Sequence, residues 1–113
     1  MDSILTSVKK ILGIESSYTH FDEDIIIHIN SAFFILNQLG VGGEEPFTIE
    51  DESATWRDFV SGKELELVRS YVYLRVRLLF DPPTNSFAVD AIKKQIEEFE
   101  WRLEVGAENN KVK

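Results

Sequence analysis

The sequence predicts an all-α fold: a small bundle of four main helices, with a short extra helix and an irregular acidic loop. Four stretches repeat apolar residues every three to four positions, which is the spacing of an amphipathic helix. Glycine or proline residues separate these stretches, and the 113-residue chain shows no internal repeat. We therefore expect a single helical domain over residues 1–105 and a flexible polar tail over residues 106–113.

The first helix is predicted from Ser3 to Leu12, where the apolar residues share one face. Asp2 or Ser3 can cap its start, because a short oxygen-bearing side chain accepts hydrogen bonds from free backbone N–H groups. Lys9 lies in the last turn, where positive charge suits the helix dipole. Gly13 then favours a left-handed C-terminal cap.

The second helix is predicted from Glu23 to Leu39, with Asp22 as its N-cap and Gly40 at its end. One stripe contains Ile25, Ile29, Phe33 and Leu36. The β-branched run "IIIHI" could also form a buried strand. Helix is favoured because the helical periodicity continues through "NSAFFILNQLG".

The stretch "VGGEEPFTIEDESATW" is the least regular and strongly acidic part of the chain. Phe47 and Ile49 alternate with polar neighbours, as in a short extended segment. Ser53 or Thr55 can cap a single short helix after it. A loop of this length in a compact domain is usually functional or mobile, and we expect this one to project or to contact a partner.

A central helix is predicted from Lys63 to Phe80, with apolar stripes on two sides. Only a strip with Arg69, Tyr73 and Arg77 is plainly polar. A helix that is apolar on two sides is packed on two sides. We expect it in the middle of the bundle or at a subunit interface.

A rigid corner, "DPP", follows this helix. A residue before proline is excluded from the α region, so Asp81 must leave the helix, and Pro82 is held extended by Pro83 in the same way. The last main helix is predicted from Ser86 to Val105, capped by Thr84, Asn85 or Ser86. Its core stripe contains Ala88, Ile92, Ile96, Phe99 and Leu103, and Trp101 falls outside that stripe.

The net charge of −8 argues against general nucleic-acid binding, which needs clustered Lys and Arg. The chain has no cysteine, and therefore no disulfide or thiolate site. The N-terminus lacks the form of a signal peptide, and no apolar run approaches the roughly 18 residues of a spanning helix. We expect a soluble protein without a membrane partner.

The chain contains no pattern that is typical of an enzyme. Asp24 and His28 lie four residues apart, with His20 and Asp22 nearby, but no third ligand has metal-site spacing. No nucleophile elbow or phosphate-binding glycine loop occurs. We expect no catalytic residues, no metal and no cofactor; a metal-dependent enzyme built on Asp24 and His28 is the weakest of the hypotheses.

Large rings are numerous for so small a domain: Phe33, Phe34, Phe47, Trp56, Phe59, Phe87 and Trp101. Aromatic residues dominate interface energetics, so some of these rings are expected at subunit contacts. The predicted subunit or partner interface contains Phe47, Ile49, Trp56, Arg69, Tyr73, Arg77, Asp81, Pro82, Pro83, Phe87 and Trp101.

Several segments together resemble the phage head–tail connector, or adaptor, proteins of tailed phages and prophages. The likeness runs through "ILTSVKKILGI", "YTHFDEDIIIHINSAFFILNQLGVG", "PFTIEDESATWRDF", "SYVYLRVRLLFDPP" and "IEEFEWRLE". The most specific parts are "INSAFFILNQLGVG" and "YVYLRVRLLFDPP".

The resemblance implies a helical protomer that forms a ring, usually a dodecamer, under the portal protein. Such a ring extends the DNA channel without sequence-specific DNA binding and docks head-completion or tail proteins. The implied location is the head–tail junction of the virion, with the host cytoplasm before assembly. The alternative is a helical interaction module, such as a packaging chaperone or regulatory subunit, that binds its target at low stoichiometry.

Overall fold

The computed structural model describes residues 3–42, 45–60 and 64–112, with side chains described as far as residue 107. Its helices are α1 (Ile4–Ile11), α2 (Asp22–Gln38), α3 (Trp56–Phe59), α4 (Leu65–Phe80) and α5 (Ser86–Val112). Across these ranges the only β-type pairing is an isolated antiparallel bridge between Ser3 and Thr55. The predicted all-α bundle of four main helices and one short helix is confirmed.

Helix α4 is the centre of the fold, as its two apolar stripes predict. It contacts α1, α2, α3 and α5, and its Val68, Tyr71, Val72 and Val76 are fully buried. Extensive contacts join α2 to α4 and α4 to α5, whereas α2 and α5 make few or none with each other. The domain is therefore layered in the order α2, α4, α5. The predicted start of α4 at Lys63 lies outside the described residues.

Glycine caps end the first two helices as predicted. Gly13 adopts a φ of +81°, and the N–H of Ile14 reaches back to the carbonyl of Lys9 at 2.8 Å. Gly40, with a φ of +91°, ends α2 in the same way, with the N–H of Val41 bonded to a carbonyl of the last turn. In both caps the apolar residue after the glycine folds back onto the helix, which is the Schellman arrangement.

The predicted N-caps of α1 and α2 have different outcomes. The Oγ of Ser3 accepts a hydrogen bond from the N–H of Thr6 at 3.2 Å, so the cap of α1 is confirmed. The prediction for Asp22 is wrong, because Phe21 occupies the N-cap and Asp22 is the first helical residue. The carboxylate of Asp22 instead lies 2.8 Å from the Nζ of Lys9 and is unavailable as a cap.

Lys9 is buried, with 2% of its surface exposed. Its ammonium group donates to the carbonyls of Ser16 at 3.1 Å and Tyr18 at 2.7 Å, in addition to its ion pair with Asp22. The two carbonyls thus engage two of the three N–H donors of the group, and Asp22 supplies the opposite charge. One side chain therefore fastens the linker between α1 and α2 to both helices, a role beyond the dipole interaction predicted for it.

The corner between α4 and α5 follows the prediction, but α5 is longer than expected. Asp81 leaves the helix with φ −144° and ψ 66°, and the Oδ1 of Asn85 caps α5 by accepting from the N–H of Phe87 at 2.7 Å. The helix continues past the predicted end at Val105 to Val112, and Ala107 is buried. Burial of Ala107 offsets the modest helix penalty of the glycine before it, about 1 kcal/mol. Flexibility of residues 106–113 in solution stays a prediction.

We predict that Lys9→Ala lowers the free energy of unfolding by about 3 kcal/mol, because it leaves the Asp22 carboxylate and two carbonyls without their buried partner. Lys10→Ala is the matched control, since Lys10 is the exposed neighbour and its loss should change stability by less than about 0.5 kcal/mol. Urea unfolding followed by circular dichroism measures both values. Equal effects in the two variants would contradict this role for Lys9.

Candidate interaction surfaces

Two residues of the predicted interface, Trp56 and Ile49, lie in the core. Trp56 has no exposed surface, and its indole N–H donates to the Oγ of Ser7 at 2.8 Å. Ile49 is 3% exposed. The side-chain amide of Asn30 accepts from the N–H of Ile49 at 2.8 Å and donates to its carbonyl at 3.0 Å. In this conformation both residues hold the acidic loop on the bundle, and contact with a partner would require the loop to move.

Phe47 also packs inward, although it stays half-buried. Its ring lies 5.4 Å from that of Phe33 and 5.2 Å from that of Phe59, measured between centroids. The acidic residues that follow, Glu50 to Glu52, are exposed. Hydrogen bonds from Ser53 hold the pKa of Asp51 below its usual value. The described part of the loop therefore turns Phe47 and Ile49 inward and presents negative charge outward.

The polar strip of α4 covers Trp56. The guanidinium of Arg69 lies 5.8 Å from the centre of the Trp56 ring, and its Nη2 donates to the Oη of Tyr73 at 3.2 Å. The ring of Tyr73 meets Trp56 edge-on at 5.9 Å. Arg77, further along the strip, is half-buried. Arg69 and Tyr73 thus shield the indole and are themselves only partly available to a partner.

The corner residues lie at the surface. Asp81 and Pro82 are exposed, and Pro83 is half-buried. Phe87, in the first turn of α5, is 84% exposed, an unusual environment for a phenyl ring. The corner and Phe87 therefore form an accessible end of the domain.

A face of α5 that points away from the core continues from Phe87. Residues 87, 94 and 101 are seven apart and so lie within about 40° of one another around the helix. We call this the α5 face; it contains Phe87, Ala91, Lys94, Glu98 and Trp101, all exposed. Trp101 is 64% exposed, as its place outside the core stripe predicts. Its indole is large enough to anchor a protein contact.

A second apolar surface lies on α2. Ile27 is 60% exposed and Phe34 is 52% exposed, and both point away from the buried stripe of the helix. They border a shallow groove of about 470 Å³ lined by Ile27, Asn30, Ser31, Phe34 and Ile35, which we call the α2 groove. It is absent from the predicted interface. The surplus of apolar residues outside the main stripe of α2 was the signal that could have indicated it.

Comparison with protein-family models agrees with these features. The model described as "Phage connector protein" matches residues 4–110. The chain belongs to the phage connector protein family. Neither a curated protein nor a solved structure matches it. Membership supports a structural connector role in a phage particle and assembly with phage proteins such as the portal.

Polar contacts fix the position of α5 in this connector. The Oη of Tyr71 on α4 donates to the Oε2 of Glu100 at 2.7 Å, and the Nη1 of Arg75 lies 3.7 Å from the same oxygen. Burial of the Tyr71 ring, followed by its hydrogen bond to Glu100, raises the pKa of the phenol well above its usual value. Glu100 is adjacent to Trp101, so these contacts also orient the α5 face.

The residues considered as metal ligands are not gathered into a site. Asp22 pairs with Lys9, Asp24 is exposed, and the half-buried His28 ring lies 6.4 Å from that of Phe80. In the ranges that the structure covers, no three His, Asp or Glu side chains are placed to share a metal ion. The helices in those ranges also include none with the length and apolar character of a membrane span.

We predict that the stability of the connector decreases above about pH 10, partly through Tyr71. The unfolded phenol loses its proton near pH 10 while the folded one retains it, so the unfolded state binds fewer protons and stability falls, by up to about 1.4 kcal/mol per pH unit. Tyr71→Phe should flatten this fall between pH 10 and 11, although its stability at pH 7 is lower. Tyr18→Phe, at an exposed site, should keep the wild-type slope in the same denaturation series.

Proposed function

We propose that this connector assembles into a ring, a dodecamer in the virion, below the portal at the head–tail junction. The ring extends the DNA channel and docks head-completion or tail proteins. The observation that carries this proposal is the pair of separate apolar surfaces on α2 and α5, the two helices that flank α4. A ring closed by one repeated heterologous contact needs two different patches on every subunit.

The charge of the chain suits a channel component. Twelve basic and twenty acidic residues give a net charge of −8, and Glu50, Asp51 and Glu52 are exposed side by side. Repeated around a ring, this charge repels phosphate, so DNA passes without being held. A structural role of this kind involves no catalysis and no cofactor.

The C-terminal segment from Gly106 is proposed to engage the portal, as the likeness to connector proteins implies. The backbone of α5 continues helically through this segment to Val112. A segment that is already helical offers a portal a preformed element, which lowers the ordering cost of binding. Before assembly the protomer resides in the host cytoplasm.

We expect the connector to form rings when it is mixed with its cognate portal. Negative-stain images of the complex should show a ring of connector density, and native mass spectrometry should give many copies per portal ring. A mass with only one or two copies per portal assembly would contradict the ring and favour a low-stoichiometry interaction module instead. The connector alone, imaged over a concentration series, shows whether the portal is needed as a template.

We predict that Pro82→Ala with Pro83→Ala impairs ring formation more than folding. Two prolines restrict the angle between α4 and α5, and a closed ring tolerates little variation in that angle. The free energy of unfolding should change by about 1 kcal/mol or less, while ring yield on the portal falls several-fold. Pro46→Ala, at another exposed proline, is the control and should preserve both. If ring yield fell only as far as the loss of folded protein explains, the corner would contribute to stability alone.

A further inference from the structure

We infer that the repeating contact places the α5 face of one copy in the α2 groove of the next copy. This inference rests on the proposed ring and identifies the surfaces that close it. The two surfaces belong to the outer layers of the α2–α4–α5 stack, which make few or no contacts with each other. A subunit with different patches on its two outer layers associates head to tail and not as a symmetric pair.

The chemistry of the two surfaces is complementary. Trp101 is the largest exposed ring on the α5 face, and the α2 groove offers the apolar side chains of Ile27 and Phe34. Ser31, exposed in the same groove, carries a hydroxyl that can accept the indole N–H. A buried Trp usually finds such a partner, and its ring covers about 150–250 Å² of surface.

Charge favours a parallel orientation of α5 and α2 at the contact. Lys94 precedes Trp101 by seven residues, and Glu23 precedes Asn30, in the middle of the groove, by seven residues. Both separations correspond to about 10.5 Å along a helix axis. With Trp101 in the groove and the helices parallel, Lys94 therefore lies at the level of Glu23.

Antiparallel packing of the two helices would not bring Lys94 and Glu23 together. An antiparallel α5 would place Lys94 near the C-terminal end of α2, where Asn37 and Gln38 carry no charge. Lys94 and Glu23 are both exposed, and neither has an ion-pair partner among the described side chains. Their pairing across subunits would give the apolar contact a fixed register.

Single-cysteine variants test the contact directly, because the chain contains no cysteine. Ser31→Cys marks the α2 groove, and Glu98→Cys marks the α5 face one turn before Trp101. The two variants are mixed, assembled on the portal and treated with a short bismaleimide. The expected product is a 31–98 cross-link between different variants, with neither variant cross-linking to itself. In the control, Glu52→Cys, on the exposed acidic loop, is mixed with each variant in place of the other and measures background cross-linking.

The other outcomes would overturn the inference, and they show whether the assigned faces or the ring itself is wrong. Self-cross-linking of Ser31→Cys would indicate a symmetric α2–α2 contact, and self-cross-linking of Glu98→Cys a symmetric α5–α5 contact. Intact rings without the 31–98 product would refute the assigned faces while leaving the ring standing. Failure to form rings with any variant, including the unmodified protein, would refute the proposed function together with the inference.

Charge reversal tests the direction of the contact. Lys94→Glu and Glu23→Lys should each weaken assembly on the order of 3–10-fold, because each places like charges together. The double variant, or a mixture of the two single variants, should recover wild-type assembly, since every junction can again pair opposite charges. Lys93→Glu, exposed on another side of α5, is the matched control. A double variant as weak as the single ones would overturn the parallel arrangement.

Discussion

The rest of the structure depends on the burial of α4 on both sides. Its apolar residues leave only a narrow polar strip, so a helix must cover each side: α2 on one and α5 on the other. Among the described elements, α1 packs on α2 but leaves part of its surface open. Ile27 and Phe34 on α2, and Phe87 and Trp101 on α5, consequently remain at the surface. The central helix thus determines where the exposed apolar surfaces lie.

Features that depend on neighbouring residues were predictable from the sequence. Helical periodicity, the glycine caps, the cap by Asn85 and the departure of the chain at Asp81 each follow from interactions within a few positions. The ion pair of Asp22 could not be predicted from the sequence, because its partner Lys9 is remote in sequence and approaches only when α1 packs on α2. Local rules place an Asp before an apolar helix at the N-cap. A tertiary ion pair overrides that preference here.

The same distinction between local and tertiary interactions explains which candidate surfaces were predictable. Exposure of Trp101 followed from its angle relative to the core stripe, which is a property of α5 alone. Burial of Trp56 and Ile49 could not be predicted in this way, because it depends on how an irregular loop returns to α2 through Asn30. The α2 groove was missed for a third reason. When a helix has more apolar residues than one stripe holds, the sequence does not tell which of them a neighbouring helix will cover.

The acidity of the chain and the apolar surfaces act in opposite directions on association. Copies with a net charge of −8 repel one another, while Ile27, Phe34 and Trp101 favour contact between them. In the proposed ring, a portal that binds several copies raises their local concentration and offsets the repulsion. On this proposal the portal favours assembly, because copies that meet elsewhere gain less from one apolar contact. A single oppositely charged pair such as Lys94 and Glu23 adds little affinity, but it penalises every misaligned register, which is the property a closed ring needs.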